Sequence, residues 1–474
     1  MFDVIIIGAG IIGSLIAYDL SKYQLSIKII EKSEDIACGS SMANSAIVHA
    51  GYDPEEGTLK ALLNVKGARM YPALCKELMC HYERIGSYVL GRNEEEVEVL
   101  KKLAKNCETR GISYALHERK EIDEPHISEE VLMGLYCPET AIITPWEVAI
   151  AAVESAMDNG ASLNLNEEVK AMEELSHGYR VITSKGSYES RIVINCAGVH
   201  SDEVANLIYP TEVEVKAKRG EYFVLDHPKE EVVKHVIYPV PTSKGKGVLV
   251  LPTIHHNILV GPTSDYIDEK DDVATTQKGL NEVRSKASLL IKDLPMHTII
   301  RTYAGNRPSG SRHDFVLEQP HPGFINCIGI ESPGIASAPA ISAYVLDLLQ
   351  ENETFIPKET YQQRKKPINL AEMSLEEKNA LIQENPSFGR IICRCEKITE
   401  GEIMDSIRRN AGATTIKGVK KRVRAGMGRC QGGFCESRVV SILARELAKK
   451  ETEICLGPKG SEVLLAPSKE VSYD

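Results

Sequence analysis

The stretch FDVIIIGAGIIGSLIAYDL, residues 2–20, decides how this chain begins to fold. Residues 2–7 form an unbroken apolar run, the pattern of a strand buried on both faces. Residues 9–22 carry a helical period. Gly8, Gly10 and Gly13 occupy the turn between them as G-x-G-x-x-G. The first glycine permits the turn and the second lets backbone approach a pyrophosphate. The third lets the helix pack closely on the strand, with its N-terminus aimed at the phosphates. A second strand, SIKIIEK at 26–32, carries Glu31, 18 residues after Gly13. A carboxylate there accepts hydrogen bonds from ribose hydroxyls and disfavours a 2′-phosphate, which argues against NADP. FAD and NAD are not separated by this motif.

Outward from that start, SRIVINCAG (190–198) reads as another buried strand running into a tight turn. PWEVAIAAVESAMDNGAS (145–162) and VEVLKKLAKNCETRG (97–111) read as amphipathic helices, the former stopping at Gly160. From 211 to 318 alternation replaces apolar runs. KRGEYFVLD, GVLVLPT and NILVGPT there read as hairpin strands of a largely antiparallel sheet inserted as a second domain. GFINCIGIESPGIASAPAISAYVLDLL (323–349) returns to strand, loop and helix, and the polar segment 351–390 reads as a linker with one short helix.

Asp and Glu number 67 against 56 Lys and Arg, a net charge of −11, so the field of the whole chain opposes nucleic-acid phosphates. No apolar run is long enough to span a membrane. The N-terminus enters a strand at once, without a basic leader or cleavage site, which places the chain in the cytoplasm. Peripheral membrane association through partner subunits stays open. Twelve cysteines in a reducing compartment do not read as a disulfide framework. Eight are scattered and read as small buried hydrophobes.

The other four, Cys393, Cys395, Cys430 and Cys435, lie within 43 residues as C-x-C, a 34-residue gap, then C-x4-C. They converge if the intervening helices fold back, and Thr399 with Glu402 forms a T-x-x-E capping box that starts one such helix. Four thiolates suit zinc or a [2Fe–2S] cluster, though zinc more often uses C-x2–4-C knuckles. The basic run KGVKKRVR (417–424) reads either as a solvated helix face or as a segment that tunes the cluster or docks an acidic partner.

Six segments occur in a fixed order: SSMANSAIVHAGYDPEEGTLKA (40–61), NCAGVHSDEVA (195–205), RGEYFVLD (219–226), IYPVP (237–241), YAGNRPSG (303–310) and GIESPGIASAPA (329–340). Together they resemble the D-amino-acid-oxidase-like superfamily of FAD oxidoreductases over residues 1–350. The nearest branches are anaerobic glycerol-3-phosphate dehydrogenase and L-2-hydroxyglutarate oxidase. CRCE followed by GMGRCQGGFC resembles the bacterioferritin-associated ferredoxin domain, found also at the end of the anaerobic dehydrogenase.

The resemblance implies FAD, contacted by Gly8, Gly10, Gly13, Glu31 and Lys32 at the nucleotide. Ser40, Ser41, Asn44 and Ser45 would lie along pyrophosphate and flavin, and Val169, Ala197 and Gly198 at strand ends. Gly334, Ile335, Ala336 and Ser337 would lie at the pyrimidine edge of the ring. It also implies a [2Fe–2S] cluster on the four clustered thiols. Hydride transfer from a C–H beside a hydroxyl needs a proton acceptor and a cation for an anionic substrate tail. His49 and Arg307 are the candidates. Arg312 and His313 are rim contacts at most, and His255 and His256, in TIHHNIL, read as a hairpin loop outside the site.

One departure bears on the substrate. Aerobic glycerol-3-phosphate dehydrogenases carry an arginine shortly after the H-x-G element, where this chain has Tyr52-Asp53-Pro54, closer to the hydroxyglutarate oxidase form. The implied activity is oxidation of a small anionic hydroxy-substrate, with electrons passing through the cluster to a partner subunit. sn-Glycerol 3-phosphate comes first, L-2-hydroxyglutarate or another 2-hydroxy acid second, an amine or amino acid third. The rival class is an electron-transfer subunit whose FAD serves a partner's chemistry. The expected fold is α/β, with a Rossmann-like FAD-binding domain, an inserted, mostly antiparallel α+β substrate domain and a small helical iron–sulfur domain. The expected divisions are an FAD-binding domain of 1–80, 140–210 and 320–350 and a substrate domain of 81–139 and 211–319. A linker of 351–387, a cluster domain of 388–450 and a tail of 451–474 complete the chain.

Overall fold

In the computed structural model, which describes residues 1–242 and 245–466, the strand Phe2–Ile7 lies in the middle of an eight-stranded sheet. It pairs in parallel with Ile27–Ile30 on one side and Ser187–Asn195 on the other. Ser162–Asn164 extends one edge, and Gly178–Thr183 and Val169–Leu175 extend the other. Phe324–Ile328 lies parallel to the end of Ser187–Asn195. Strand side chains alternate between faces, so Val4 and Ile6 enter one core while Ile5 and Ile7 enter another. Because both faces are buried, an unbroken apolar run is the right pattern here. The larger core is shared with the helices Ile11–Leu20, Pro145–Asp158 and Gly334–Gln350.

The second sheet has nine strands, and its spine is one long antiparallel pair. Val215–Leu225 runs against Ile299–Gly310, in register from Val215 opposite Gly310 to Val224 opposite Arg301, with a shift before Leu225 opposite Ile299. Ser87–Gly91, Met133–Cys137 and Ala115–Glu118 join the same sheet from earlier in the chain. All neighbours in this sheet are antiparallel except Val236–Pro239 with Ser87–Gly91. A helix at Leu59–Leu78, unmarked by a clear period in the sequence, packs along Gly334–Gln350.

The thiol region folds as three helices, Glu400–Arg408, Ile416–Val423 and Glu436–Glu446, on a small hairpin. Thr399 and Glu402 form the expected capping box. The basic run is not a solvated face. On the helix Ile416–Val423, Lys420 and Lys421 are buried, and Lys421 and Arg422 close on Asp35 of the first domain. Arg422 meets that carboxylate with two nitrogens, both at 2.8 Å, and Lys421 Nζ lies 2.9 Å from it.

Burial alone would push the Asp35 carboxyl up; the Arg422 guanidinium and Lys421 ammonium outweigh it and hold it at about 2. A second buried carboxylate does the same nearby. Glu154 takes Arg364 from the linker at 2.7 Å and Arg409 from the cluster domain at 2.9 Å. Segment 351–387 is therefore packed down rather than a free tether. Residues 467–474 of the expected tail lie outside the described residues. Among the described residues no helix is long and apolar enough to cross a membrane.

Candidate functional site

Between the two sheets runs a cavity of ≈ 900 Å³. Every residue named from the sequence for the nucleotide and the chemistry lines it, except Gly13 and Ser337. Gly13 lies behind the wall: a Cβ there would stand 2.1 Å from the Gly8 carbonyl oxygen, so it sets the helix-to-strand distance. Ser337 is buried in the helix Gly334–Gln350 and donates its hydroxyl to Pro333 O at 3.1 Å.

At the nucleotide end, Glu31 accepts the Ala9 N–H at 2.7 Å and the Ser33 N–H at 2.8 Å. The carboxylate is thus fixed on the cavity wall with lone pairs to spare for hydroxyls. Ser41 Oγ accepts the Ile11 N–H at 2.9 Å and supplies the cap that Gly10 cannot. Asn44 holds the loop: it donates to the carbonyls of Ser40 and Ser41, both at 2.9 Å, and accepts from the Ala46 N–H at 2.7 Å. Ser40 donates to Asn306 O at 2.5 Å.

Two tyrosines from the second sheet, Tyr222 and Tyr303, stack with centroids 4.7 Å apart. Tyr222 bonds Ser45 at 3.1 Å and Tyr303 donates to Asn44 O at 2.8 Å. Lys32 reaches across the mouth to Asp271 at 3.2 Å. The helix Gly334–Gln350 opens on the same cavity without a side-chain cap; the Gly334 N–H is held by Glu331 O at 2.5 Å, which leaves Ile335 and Ala336 and the positive dipole end at the cavity wall. Two helix N-termini, a wall without side chains at Gly8 and Gly10, and one fixed carboxylate together fit a dinucleotide carrying a flavin.

At the other end, His49 Nδ1 shares a hydrogen bond of 2.8 Å with the Tyr238 hydroxyl. Burial, with the Lys246 charge second, pushes the imidazole well below its usual range, so it stands neutral. Burial pushes the Tyr238 phenol up. Lys246 lies 3.5 Å from Asp53, and burial lowers its pKa against the pull of that carboxylate. Arg307 enters from the strand Ile299–Gly310 and donates Nη2 to Thr263 O at 2.6 Å.

Lys246, Tyr238 and the two stacked tyrosines are what sequence reasoning missed; Asp53 it singles out as a departure bearing on the substrate. Asp53, Tyr222, Tyr238 and Tyr303 lie in segments quoted for the resemblance, whereas Lys246 sits in a Gly-Lys-Gly turn with no periodicity to mark it. Arg312 pairs with Glu318 at 3.4 Å, and neither it nor His313 lines the cavity.

His255 does stand in a hairpin, between Leu249–Pro252 and Ile258–Gly261, with its ring against His81. Burial first, then the Arg424 charge, pushes it down to about 2. A histidine in the unfolded chain binds a proton near pH 6.5, and the folded one does not. Stability from His49 and His255 is therefore fully present above that pH and is lost as pH falls, by about 1.4 kcal/mol per unit for each. Urea unfolding at pH 7.5 and 5.5 should show this loss, and His255→Phe should flatten the slope by one proton's share. An unchanged slope in that variant would mean that His255 is protonated in the folded state.

The four clustered thiols meet as two pairs. Cys395 Sγ lies 3.6 Å from Cys430 Sγ, on the exposed side. Cys393 and Cys435 are buried free thiols, hydrogen-bonded to each other. The Cys435 thiol, then the N–H groups of Gly426 and Glu396, pull Cys393 down to about 6, while the proton shared with Cys393 pushes Cys435 up. The N–H groups of Gly432 and Phe434 point at Cys430. Cys393, Cys395, Cys430 and Cys435, with N–H donors on sulfur, would be the residues to hold a [2Fe–2S] cluster, which would supply one-electron chemistry.

Residues 3–348 match the family of FAD dependent oxidoreductases called DAO. The chain belongs to that family. Residues 391–445 of this flavoenzyme match the BFD-like [2Fe-2S] binding domain, so its cofactors are FAD and a [2Fe–2S] cluster. The oxidoreductase is 45% identical to a glycerol 3-phosphate dehydrogenase of Caloramator mitchellensis, over 99% of each chain. It is 32% identical to an L-2-hydroxyglutarate dehydrogenase of Indibacter alkaliphilus, over 60% of this chain and 74% of that one. Among solved structures, it resembles the dithionite-reduced L-alpha-glycerophosphate oxidase of Mycoplasma pneumoniae with FAD bound. The TM-score is 0.74 at 28% identity, covering 77% of this chain and 98% of that one.

Proposed function

We propose that the enzyme oxidises sn-glycerol 3-phosphate at its secondary hydroxyl and releases the electrons singly through its iron–sulfur domain. The observation that carries this reading is the end-to-end likeness to the Caloramator dehydrogenase, cluster domain included. The cavity supports it: Arg307 and Lys246 supply cations for the phosphate, and neutral His49 supplies the base. In the tautomer that donates Nδ1–H to the Tyr238 oxygen, Nε2 keeps its lone pair for the substrate hydroxyl proton. Bound FAD supplies the hydride acceptor, and the cluster supplies a one-electron outlet.

In this reading Glu31 holds the ribose, Ser40 to Ser45 and the turn at Ala197 and Gly198 flank the pyrophosphate and flavin, and Gly334 to Ala336 face the ring. Residues 81–139 and 211–319 form the substrate domain. Twelve unpaired cysteines suit a reducing cytoplasm.

One observation favours L-2-hydroxyglutarate as a second substrate. Asp53 offsets the charge of Lys246, which suits a carboxylate better than a doubly charged phosphate. Anaerobic mixing of the holoenzyme with glycerol 3-phosphate, L-2-hydroxyglutarate and L-proline separates these readings. Glycerol 3-phosphate should bleach the visible flavin band at the lowest concentration. Bleaching by the hydroxy acid alone would move the assignment to that substrate.

A further inference from the structure

The loop that carries Cys430 and Cys435 leaves a large ring in water. Phe434 is 81% exposed, although it sits between Gly433 and a thiol that is itself buried. Ile391, on the hairpin leading to Cys393, is also exposed. Three cations, Arg394, Lys397 and Arg438, lie within three residues of a clustered thiol and are exposed. Among the described residues none of the three is held in an ion pair.

The carboxylates of the same region are already taken. Arg424 holds Glu396 at 2.8 Å and Lys420 holds Glu436 at 3.5 Å. The loop's other flank is tied to the substrate domain, by Arg429 to Asp226 at 2.9 Å and Gln431 to Arg301 at 3.2 Å. Positive charge thus collects beside the thiols of a chain of net charge −11: Arg394 and Lys397 flank the exposed Cys395 in sequence, and Arg438 follows Cys435.

We propose that this face docks an acidic protein that carries one electron, with Phe434 as the apolar anchor and Arg394, Lys397 and Arg438 as the steering rim. Interfaces of this kind combine a central aromatic anchor with rim charges that set encounter rate and salt dependence. Two large apolar side chains offer little area for insertion into a lipid surface, which favours a protein partner. The proposal rests on the reading that substrate electrons leave through the cluster. The balance is simple. One CH–OH becoming C=O releases two electrons and two protons; two oxidised carrier molecules each take one electron, and the protons pass to solvent.

The test uses dithionite-reduced holoenzyme, so its outcome does not depend on the substrate. Two one-electron probes of opposite charge are compared: the acidic soluble haem domain of cytochrome b5 and basic cytochrome c. Affinity is read by surface plasmon resonance and electron delivery by the haem band. The acidic probe should bind and be reduced, both weakening with salt. Lys397→Glu with Arg438→Glu should lower its affinity by about tenfold and raise that of cytochrome c. Phe434→Ala should weaken binding of the acidic probe without changing the salt slope; its exposure makes misfolding no explanation.

No preference for the acidic probe, or affinity unmoved by charge reversal, would overturn the proposal. So would capture of the enzyme by phosphatidylglycerol vesicles that the charge-reversed variant escapes, which would make the patch a membrane surface. Glycerol 3-phosphate bleaching, measured on the same samples, reports separately on the proposed substrate.

Discussion

Replacing Arg307 with alanine is expected to lower kcat/KM for glycerol 3-phosphate by about two orders of magnitude, or about 2.7 kcal/mol, with FAD content unchanged. The guanidinium is positioned before substrate arrives. Its strand is one half of the long pair at the spine of the second sheet, where Arg307 stands opposite Lys218. Its Nη2 donates to Thr263 O at 2.6 Å. The space it occupies exists because residue 220 is glycine: a Cβ there would lie 2.4 Å from Nη2. Gly220→Ala should therefore lower kcat/KM without touching the substrate.

Arg307→Lys should recover only part of the loss, because a single ammonium cannot both hold Thr263 and present a planar fork to an anion. Stopped-flow reduction of the flavin across a substrate range gives the answer. Near-normal kcat/KM in Arg307→Ala would show that the anion is held elsewhere, with Lys246 the first residue to test.

The second large effect is on the junction between flavin and cluster domains. Asp35→Leu should cost about 3–5 kcal/mol, because it leaves Lys421 and Arg422 buried and without their carboxylate. Both cations and Asp35 are almost fully buried, with side-chain exposures of 3%, 5% and 5%, so water cannot screen the loss. Urea unfolding followed by the cluster's visible absorbance is the direct measure.

FAD retention should weaken as well. Asp35 lies in the segment between Ile27–Ile30 and Ile47–Val48 that also carries Glu31 and Ser41, and Lys421 also donates to Ile36 O at 2.5 Å and approaches Cys38 Sγ at 3.6 Å. Replacing all three charged groups with apolar side chains should regain much of the stability, since a buried ionic cluster is often no more stable than a packed apolar one. If Asp35→Leu unfolds at the wild-type midpoint, the two domains are held by other contacts, with Glu154 and its two arginines the next candidate.

How much of this was legible in the sequence follows from the range of the interactions. The first strand, its glycine turn and Glu31 are local: apolar periodicity and three glycines within six residues dictate strand, turn and helix without distant help. The inserted antiparallel sheet showed itself through short strands closed by turn residues, although strands such as Ser87–Gly91 and Ile258–Gly261 are buried on both faces and do not alternate strictly. The four thiols were legible as a set because their spacing is short, and Thr399 with Glu402 announced the helix between them.

What the sequence alone could not decide depends on residues brought together from far apart. The helix Leu59–Leu78 has a weak apolar stripe and a proline inside it, and it is held by packing against Gly334–Gln350. Lys246 becomes a cavity cation only when its turn folds over Asp53, nearly two hundred residues earlier in the chain. The basic run at 417–424, five cations and no carboxylate in eight residues, is compatible by sequence with a solvated helix face. Only the fold brings Asp35 to it, and an opposite charge in a water-poor junction turns an expected surface face into the contact that seats the cluster domain on the flavin domain.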